Sequence, residues 1–355
     1  MSVYIIAEAG VNHNGQIDLA KQLIDVAKAS GADAVKFQSF KASEMVTQAA
    51  QKANYQLKHT EVAESQFEMI KKLELGLEEH FLLKDYAKAK NIEFLSTPFD
   101  PTSLNILVND LGLKTIKVSS GDLTNAPFLY EIALCAEKVI LSTGMSTLSE
   151  IEMALGVLAF GFLTKRQVSP SVEAFEQAYA SLEGQKVLKE KVSILHCTTE
   201  YPAPIEEINL NVMSTFKKCF DLEVGYSDHT QGTHVPIAAV ALGATIIEKH
   251  FTLDKTLPGP DHQASLEPEE LKYMVDCIRA IELSLGDGIK RPMPSEIKNR
   301  SIARKSLVAA DAITMGETLK ISCKRPGNGL SPYLYWDKLQ MISTRNYQKD
   351  ELIES

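Results

Sequence analysis

Short runs rich in Val, Ile and Phe recur along the chain, and the stretches between them carry apolar residues at the three- and four-residue spacing of helices buried on one face. The runs predict eight strands, at residues 3–7, 34–37, 93–96, 115–118, 139–141, 192–196, 223–225 and 244–248. The intervening periodicity predicts helices at 17–30, 78–90, 101–110, 147–160, 210–220 and 234–242, and a closing helix at 268–285. Strand and helix alternating eight times is the count of an α/β (β/α)8 TIM barrel. An open doubly wound sheet would alternate in the same way. No GxGxxG or GxxxxGK(S/T) run follows any of these strands, so a nucleotide cradle is not expected.

Barrel chemistry sits at the C-terminal ends of the strands, and here each of those ends is polar. The first delivers Glu8 and then "AGVNHNG", with Asn12 and His13. The second delivers Lys36 and Gln38, the third Ser96, Thr97 and Phe99, and the fourth Lys117, Ser119, Ser120 and Asp122. Ser142 and Thr143 follow the fifth, and "HCTTEYP", with Thr198, Thr199 and Tyr201, closes the sixth. "GYSDHT" ends the seventh with Ser227, Asp228 and His229, and the eighth runs to His250. One lysine here is ordinarily a solvated loop residue, one serine a helix cap, and one histidine a satisfied structural residue. Together the types fit one another. Two lysines among hydroxyls and helix N-termini suit phosphate and carboxylate. His229 and His250 end adjacent strands, so their imidazoles can converge on one divalent metal, with Glu8 in reach on the first strand.

A chain of 355 residues suits one large domain and a smaller one. The net charge of −9 argues against nucleic acid and anionic membrane as partners. The apolar runs stop well short of the roughly 18 residues that a membrane span needs. "MSVYIIAEAG" has no basic leader and reads as a first strand. Five cysteines without a CxxC pair suit a reducing cytoplasm and argue against disulfides or a thiolate zinc site. Charge is uneven: residues 286–330 carry nine basic and four acidic side chains on an otherwise acidic chain. This basic segment could close over an anionic ligand. "GDGIKRPMPSE" marks a linker at 286–297 after a domain at 1–285. Residues 298–355 read as short β segments and turns, too few to bury much core alone, with Lys324 and Arg325 mounted on the proline turn "KRPGNG".

The segments "AEAGVNHNG", "VKFQSF", "STPFD", "KVSSGD", "LSTGM", "HCTTEYP", "GYSDHT", "IEKHFTLDKTLPGPDH" and "KRPGNG", in this order, resemble the bacterial sialic acid synthase family over nearly the whole chain. The resemblance implies a TIM barrel followed by a small antifreeze-protein-like (SAF) domain. It also implies a domain-swapped homodimer in which the small domain of one subunit caps the barrel of the other. The family reaction condenses phosphoenolpyruvate with the open-chain aldehyde of an N-acetylated mannosamine-type sugar and releases phosphate.

On this likeness His229 and His250 would hold a divalent metal, typically Mn2+, with Mg2+ or Co2+ as alternatives. Lys36, Thr97, Lys117, Ser120, Ser142 and Ser227 would hold phosphoenolpyruvate. Glu8, Gln38, Tyr201 and Asp261 would orient or protonate the sugar, with Phe99, Asp122 and Thr199 as further substrate contacts. Arg325 would come from the second subunit to the N-acetyl group. Glu8, Lys36, Lys117 and Asp261 are the expected catalytic residues. The first expectation for the sugar is N-acetylmannosamine, giving N-acetylneuraminate. The alternative is 2,4-diacetamido-2,4,6-trideoxymannose, giving N,N′-diacetyllegionaminate; a pseudaminate synthase fits "TTEYP" less well. Two features depart from the family pattern: Asp122 stands where glutamate is common, and 161–191 is long, reading as an added surface helix at 171–180. Rival classes are a Schiff-base aldolase using Lys36 or Lys117 and a carbohydrate- or ice-binding protein.

Overall fold

The structure, a computed structural model, describes residues 2–53, 57 and 64–354. Eight parallel strands form one sheet: β1 (Tyr4–Gly10), β2 (Ala34–Ser39), β3 (Glu93–Pro98), β4 (Thr115–Val118), β5 (Lys138–Ser142), β6 (Val192–His196), β7 (Glu223–Asp228) and β8 (Ile246–His250). Their order is β3-β2-β1-β8-β7-β6-β5-β4, and the end strands β3 and β4 lie in contact, so the sheet closes as a TIM barrel. Parallel neighbours need long crossovers, and the helices that supply them cover the outside.

Side chains alternate across each strand, and the two faces bury different things. Outward-facing Ile5, Val35, Phe94, Val139, Ile194, Val224 and Ile247 pack with helix residues such as Leu23, Leu83, Ile132 and Leu155 in the main core. Inward-facing Ile6, Ala34, Leu95, Ile140, Leu195 and Ile246 form a separate apolar plug in the barrel. Two residues beyond five plug members the inward face turns polar: Ile6 leads to Glu8, Ala34 to Lys36, Leu95 to Thr97, Ile140 to Ser142 and Ile246 to Glu248. The plug is thus the floor of a buried polar layer.

Six strands run further than the apolar runs predict: β1 continues to Gly10, β2 to Ser39, β3 to Pro98, β5 to Ser142, β7 to Asp228 and β8 to His250. Apolar patterning stops at the first polar side chain, whereas the ladder is made of backbone groups and continues through Glu8↔His250, Ser227↔Glu248 and Asp228↔Lys249. The added segment holds the expected helix at Val172–Ala180 and a second one at Leu182–Lys191, both packed on the long helix Leu148–Thr164. A capping box between Thr147 and Glu150 starts that long helix.

Residues 287–355 make a second compact unit. Its two-stranded antiparallel sheet pairs β9 (Ser306–Ala309) with β10 (Ile321–Lys324) over a small core of Leu307, Ala309, Ile313, Leu319, Ile321, Tyr347 and Ile353. The helix Pro294–Ala303 buries none of its residues, and its first turn lies within the stretch read as linker. Among the described residues no helix is long and apolar enough to cross a membrane.

Gly225 on β7 is pressed close against β6 and β8. A methyl group there would stand 2.6 Å from the Ile246 carbonyl oxygen and 2.5 Å from Leu195 Cδ2. Backbone cannot move aside as a side chain can, so Gly225→Ala is expected to cost about 1–3 kcal/mol of stability. A chemical denaturation midpoint equal to that of the unmodified protein would contradict this packing.

Candidate active site

A cavity of about 440 Å3 opens above the polar layer. Fourteen of the sixteen residues proposed from the sequence line it: Glu8, Lys36, Gln38, Thr97, Phe99, Lys117, Ser120, Ser142, Thr199, Tyr201, Ser227, His229, His250 and Asp261. Asp122 is not part of the wall. It ends a short 3-10 turn, and its carboxylate accepts bonds from Ser119 Oγ (2.8 Å) and Asn125 Nδ2 (3.3 Å) instead. Arg325 belongs to the second compact unit, where it is exposed and donates through Nε to the Ala303 carbonyl. Asn12 and His13 are buried beside the site rather than in it. Asn12 Nδ2 donates to the Phe251 carbonyl and to Ser265 Oγ, and that hydroxyl donates to the Asp261 carbonyl at 2.7 Å. The loop carrying Asp261 is therefore tied to the first strand's turn.

One end of the cavity is a buried charge cluster. Lys36 Nζ lies 2.6 Å from Glu8 Oε2 and 3.6 Å from Glu248 Oε2, and donates to Thr97 Oγ1 at 2.9 Å. Lys117 Nζ donates to Ser142 Oγ at 2.6 Å and lies 3.6 Å from Glu248 Oε1, which also accepts from Ser227 Oγ at 2.8 Å. Burial alone would raise the Glu248 carboxyl, but Lys117 and Lys36 outweigh it and hold it down at about 2. Glu8 moves the other way, to about 7, because burial and the Glu248 charge outweigh Lys36. Burial likewise lowers the Lys117 ammonium, whereas for Lys36 the two carboxylates overcome burial and raise it. A lysine held protonated is the opposite of what a Schiff-base nucleophile requires, so Lys36 does not suit that rival chemistry.

Sequence reading missed Glu248, the counter-charge shared by both lysines. Its signal was present: Glu248 lies two residues before His250 and two after the plug residue Ile246, on the same inward face. Beside the cluster, Ser120 Oγ accepts from the Gly144 amide at 2.9 Å. A methyl on Gly144 would run into Thr199 Oγ1, so that loop can approach the cavity this closely only as glycine.

The other end holds the histidine pair, with ring centroids 5.6 Å apart. The Thr198 carbonyl can only accept, so His229 donates through Nδ1 (2.6 Å) and keeps a bare lone pair on Nε2. The Tyr201 ring packs on His229 at 4.2 Å. His250 Nδ1 is buried without a hydrogen-bond partner among the described residues, and Asp261 Oδ2 lies 3.9 Å away. Burial lowers both imidazoles, His250 well below its ordinary value, so both rings are neutral at physiological pH. Burial also raises the Asp261 carboxyl to about 6. Gly10, at φ +53°, passes so close that a methyl group would sit 3.2 Å from His250 Cε1.

The cluster predicts an anion-dependent rescue. Glu248→Gln leaves the buried Lys117 ammonium without its carboxylate and Lys36 with Glu8 alone, and is expected to cost about 3–5 kcal/mol. Inorganic phosphate, supplying the missing negative charge, should raise the melting temperature of this variant more than that of the unmodified protein. An equal phosphate effect on both proteins would count against an anion site between Lys36 and Lys117.

Comparison with known proteins places this geometry. The profile of the NeuB family matches residues 23–290. N,N′-diacetyllegionaminic acid synthase of Campylobacter jejuni is 52% identical over 98% of both chains. The protein of the same name from Legionella pneumophila is 43% identical over 94% of this chain and 88% of its own. Among solved structures, N-acetylneuraminic acid (sialic acid) synthetase of Leptospira borgpetersenii, in complex with citrate, superposes with a TM-score of 0.67. It is 35% identical, with 84% of this chain and 90% of that one covered. Identity sustained at this level from end to end, over a barrel whose strand ends carry the expected polar ring, means that the chain belongs to the NeuB family.

Proposed function

We propose that the chain is an N,N′-diacetyllegionaminic acid synthase, condensing phosphoenolpyruvate with 2,4-diacetamido-2,4,6-trideoxymannose and releasing phosphate. The observation that carries this reading is one cavity with a buried lysine–hydroxyl end and a neutral histidine pair, in a chain 52% identical to a relative of that name. The sequence alone placed N-acetylmannosamine first. The comparisons favour the alternative sugar: two relatives bearing the legionaminic name stand at 52% and 43% identity, against 35% for the N-acetylneuraminic acid synthetase. The cavity also has an apolar side made by Phe40, Met45, Met69, Ile70 and Phe99, a suitable lining for the methyl groups of a 6-deoxy diacetamido sugar.

In this reading Lys36, Lys117, Thr97, Ser120, Ser142 and Ser227 hold the phosphate and carboxylate of phosphoenolpyruvate, a multiply charged anion that needs this density of donors. Gln38, Thr199, Tyr201 and Asp261 orient the sugar over it. A carbon–carbon bond forms from C3 of the enol to the aldehyde carbon, and the aldehyde oxygen takes up a proton. Water then adds at C2, and the C–O bond to phosphate breaks. Glu8, with its carboxyl near 7, and Asp261, near 6, can each give or accept a proton at neutral pH.

A divalent metal, Mn2+ in this reading with Mg2+ or Co2+ as substitutes, fits the histidine pair: His229 offers a free Nε2 lone pair and His250 a buried Nδ1 with no hydrogen-bond partner among the described residues. Among the described residues no group of three His, Cys, Asp or Glu side chains gathers into a metal site, and the two histidines are the protein ligands in this reading. When bound, the metal would polarise the aldehyde as a Lewis acid.

The second unit is proposed as an SAF domain, at 298–355, that caps the barrel of another copy in a domain-swapped homodimer and brings Arg325 to the acetamido group. Supporting this are the basic excess of 286–330 and a helix, Pro294–Ala303, that leaves Ile297 and Ile302 exposed. A cytoplasmic setting accords with five cysteines that are all free.

Offered both sugars side by side, the enzyme should show a kcat/KM for the diacetamido trideoxy sugar about tenfold or more above that for N-acetylmannosamine. Equal use of the two, or the reverse order, overturns the sugar assignment. Exhaustive EDTA treatment should abolish phosphate release and added Mn2+ should restore it; full turnover after EDTA is incompatible with a metal at His229 and His250.

A further inference from the structure

Immediately before each histidine of the pair stands a buried charge of opposite sign: Asp228 before His229 and Lys249 before His250. Lys249 Nζ lies 2.5 Å from Asp228 Oδ2, and both side chains are completely buried. They face outward, into the same layer as Tyr226 and Ile247, on the opposite side of the barrel wall from the cavity. The carboxylate is saturated with donors: besides Lys249 it accepts from Tyr226 OH (2.8 Å), the Thr230 amide (3.1 Å) and Thr230 Oγ1 (3.0 Å). Lys249 also donates to the Thr230 carbonyl.

An ion pair in an apolar layer adds little to stability, since desolvation of the two charges consumes the attraction between them, and a packed apolar pair often does as well. What such a pair does well is fix one arrangement against its near alternatives. Asp228 and Lys249 are direct register partners and the last such pair between β7 and β8. The next residue on each strand is a histidine. A slip of one residue would turn one imidazole to the helix side of the wall. The uncharged pair Tyr226↔Ile247 lower in the strands would tolerate that slip far better than a lone buried ammonium would.

We propose that the Asp228–Lys249 pair is a positioning clamp for the histidine pair: it locks the register of the β7 and β8 ends and so sets the separation and aim of His229 and His250 for a metal. The inference rests on the metal reading given above. The two residues touch neither the cavity nor a substrate, and they act through the strands that carry the ligands.

The test uses the full-length protein without substrates and titrates Mn2+ alone, following free Mn2+ by electron paramagnetic resonance. The double variant Asp228→Leu/Lys249→Met keeps the layer filled and leaves no unpaired charge. It is expected to melt no lower than the unmodified protein yet to bind Mn2+ about 10- to 100-fold more weakly, the loss typical of changes behind metal ligands. Its affinity for phosphoenolpyruvate alone, measured by calorimetry, should fall far less than that for Mn2+, because of the proposed contacts only Ser227 lies on β7. Tyr226→Phe removes one donor from the carboxylate without disturbing the charge balance. It should weaken Mn2+ binding to a smaller degree, and it decides the matter if the double variant does not fold. Unaltered Mn2+ affinity in a folded double variant, or in Tyr226→Phe if that variant has to stand in for it, overturns the clamp. So does a parallel loss of phosphoenolpyruvate affinity, which would mark general damage. Unmodified protein that takes up no Mn2+ removes the metal centre itself, and the clamp with it.

Discussion

Two lysines and two glutamates cannot enter the mouth of a barrel unless each charge meets its opposite, and this constraint organises the structure. Lys36 and Lys117 reach the same carboxylate, Glu248, from β2 and β4, while Glu8 on β1 takes the other side of Lys36. Each member comes from a different strand, so the cluster exists only when the barrel is closed in a single register. The apolar plug beneath it, from Ile6 to Ile246, sets the height at which the charges sit. Above it the two lysines are held ready for an anion with their donors already aimed, which is how a site lowers the reorganisation cost of binding charge.

The same wall serves two purposes on its two faces. Inward, β7 and β8 present Ser227, Glu248, His229 and His250 to the cavity. Outward, the intervening residues Asp228 and Lys249 neutralise one another within the helix layer. Strand periodicity makes this division possible, because neighbours in sequence belong to different environments. It also makes the site intolerant of small backbone changes. Gly10 and Gly144 allow the close approaches at its two ends: a methyl on Gly144 would collide with Thr199, and one on Gly10 would crowd His250 and strain a backbone at φ +53°.

Much of the site was legible in the residues because polar side chains at the ends of buried parallel strands are anomalous: such strands are ordinarily apolar throughout. That anomaly singled out Lys36, Lys117, Ser142, Ser227, His229 and His250, and all of them line one cavity. Glu248 escaped notice because it opens the charged pair Glu248-Lys249 that ends the eighth apolar run. Its importance comes from lysines more than a hundred residues away in the chain. Asp122 was legible as a polar strand-end residue, but its short side chain is satisfied locally by Ser119 and Asn125. The helix Leu182–Lys191 lacked a clear apolar stripe, since Gly184 and Leu188 are its only buried residues.

Local pattern by itself determined the alternation of eight strands and helices, the polar character of the strand ends and the separate basic segment that follows them. These follow from the periodicity and chemistry of neighbouring residues. Tertiary structure alone decided which charges pair, which hydroxyls meet which ammonium groups, and that Glu8 and Glu248 are driven to opposite protonation behaviour. The physical reason is that electrostatics in a buried site depends on distance and desolvation. Both are set by barrel closure, which brings together residues that sequence separation keeps far apart.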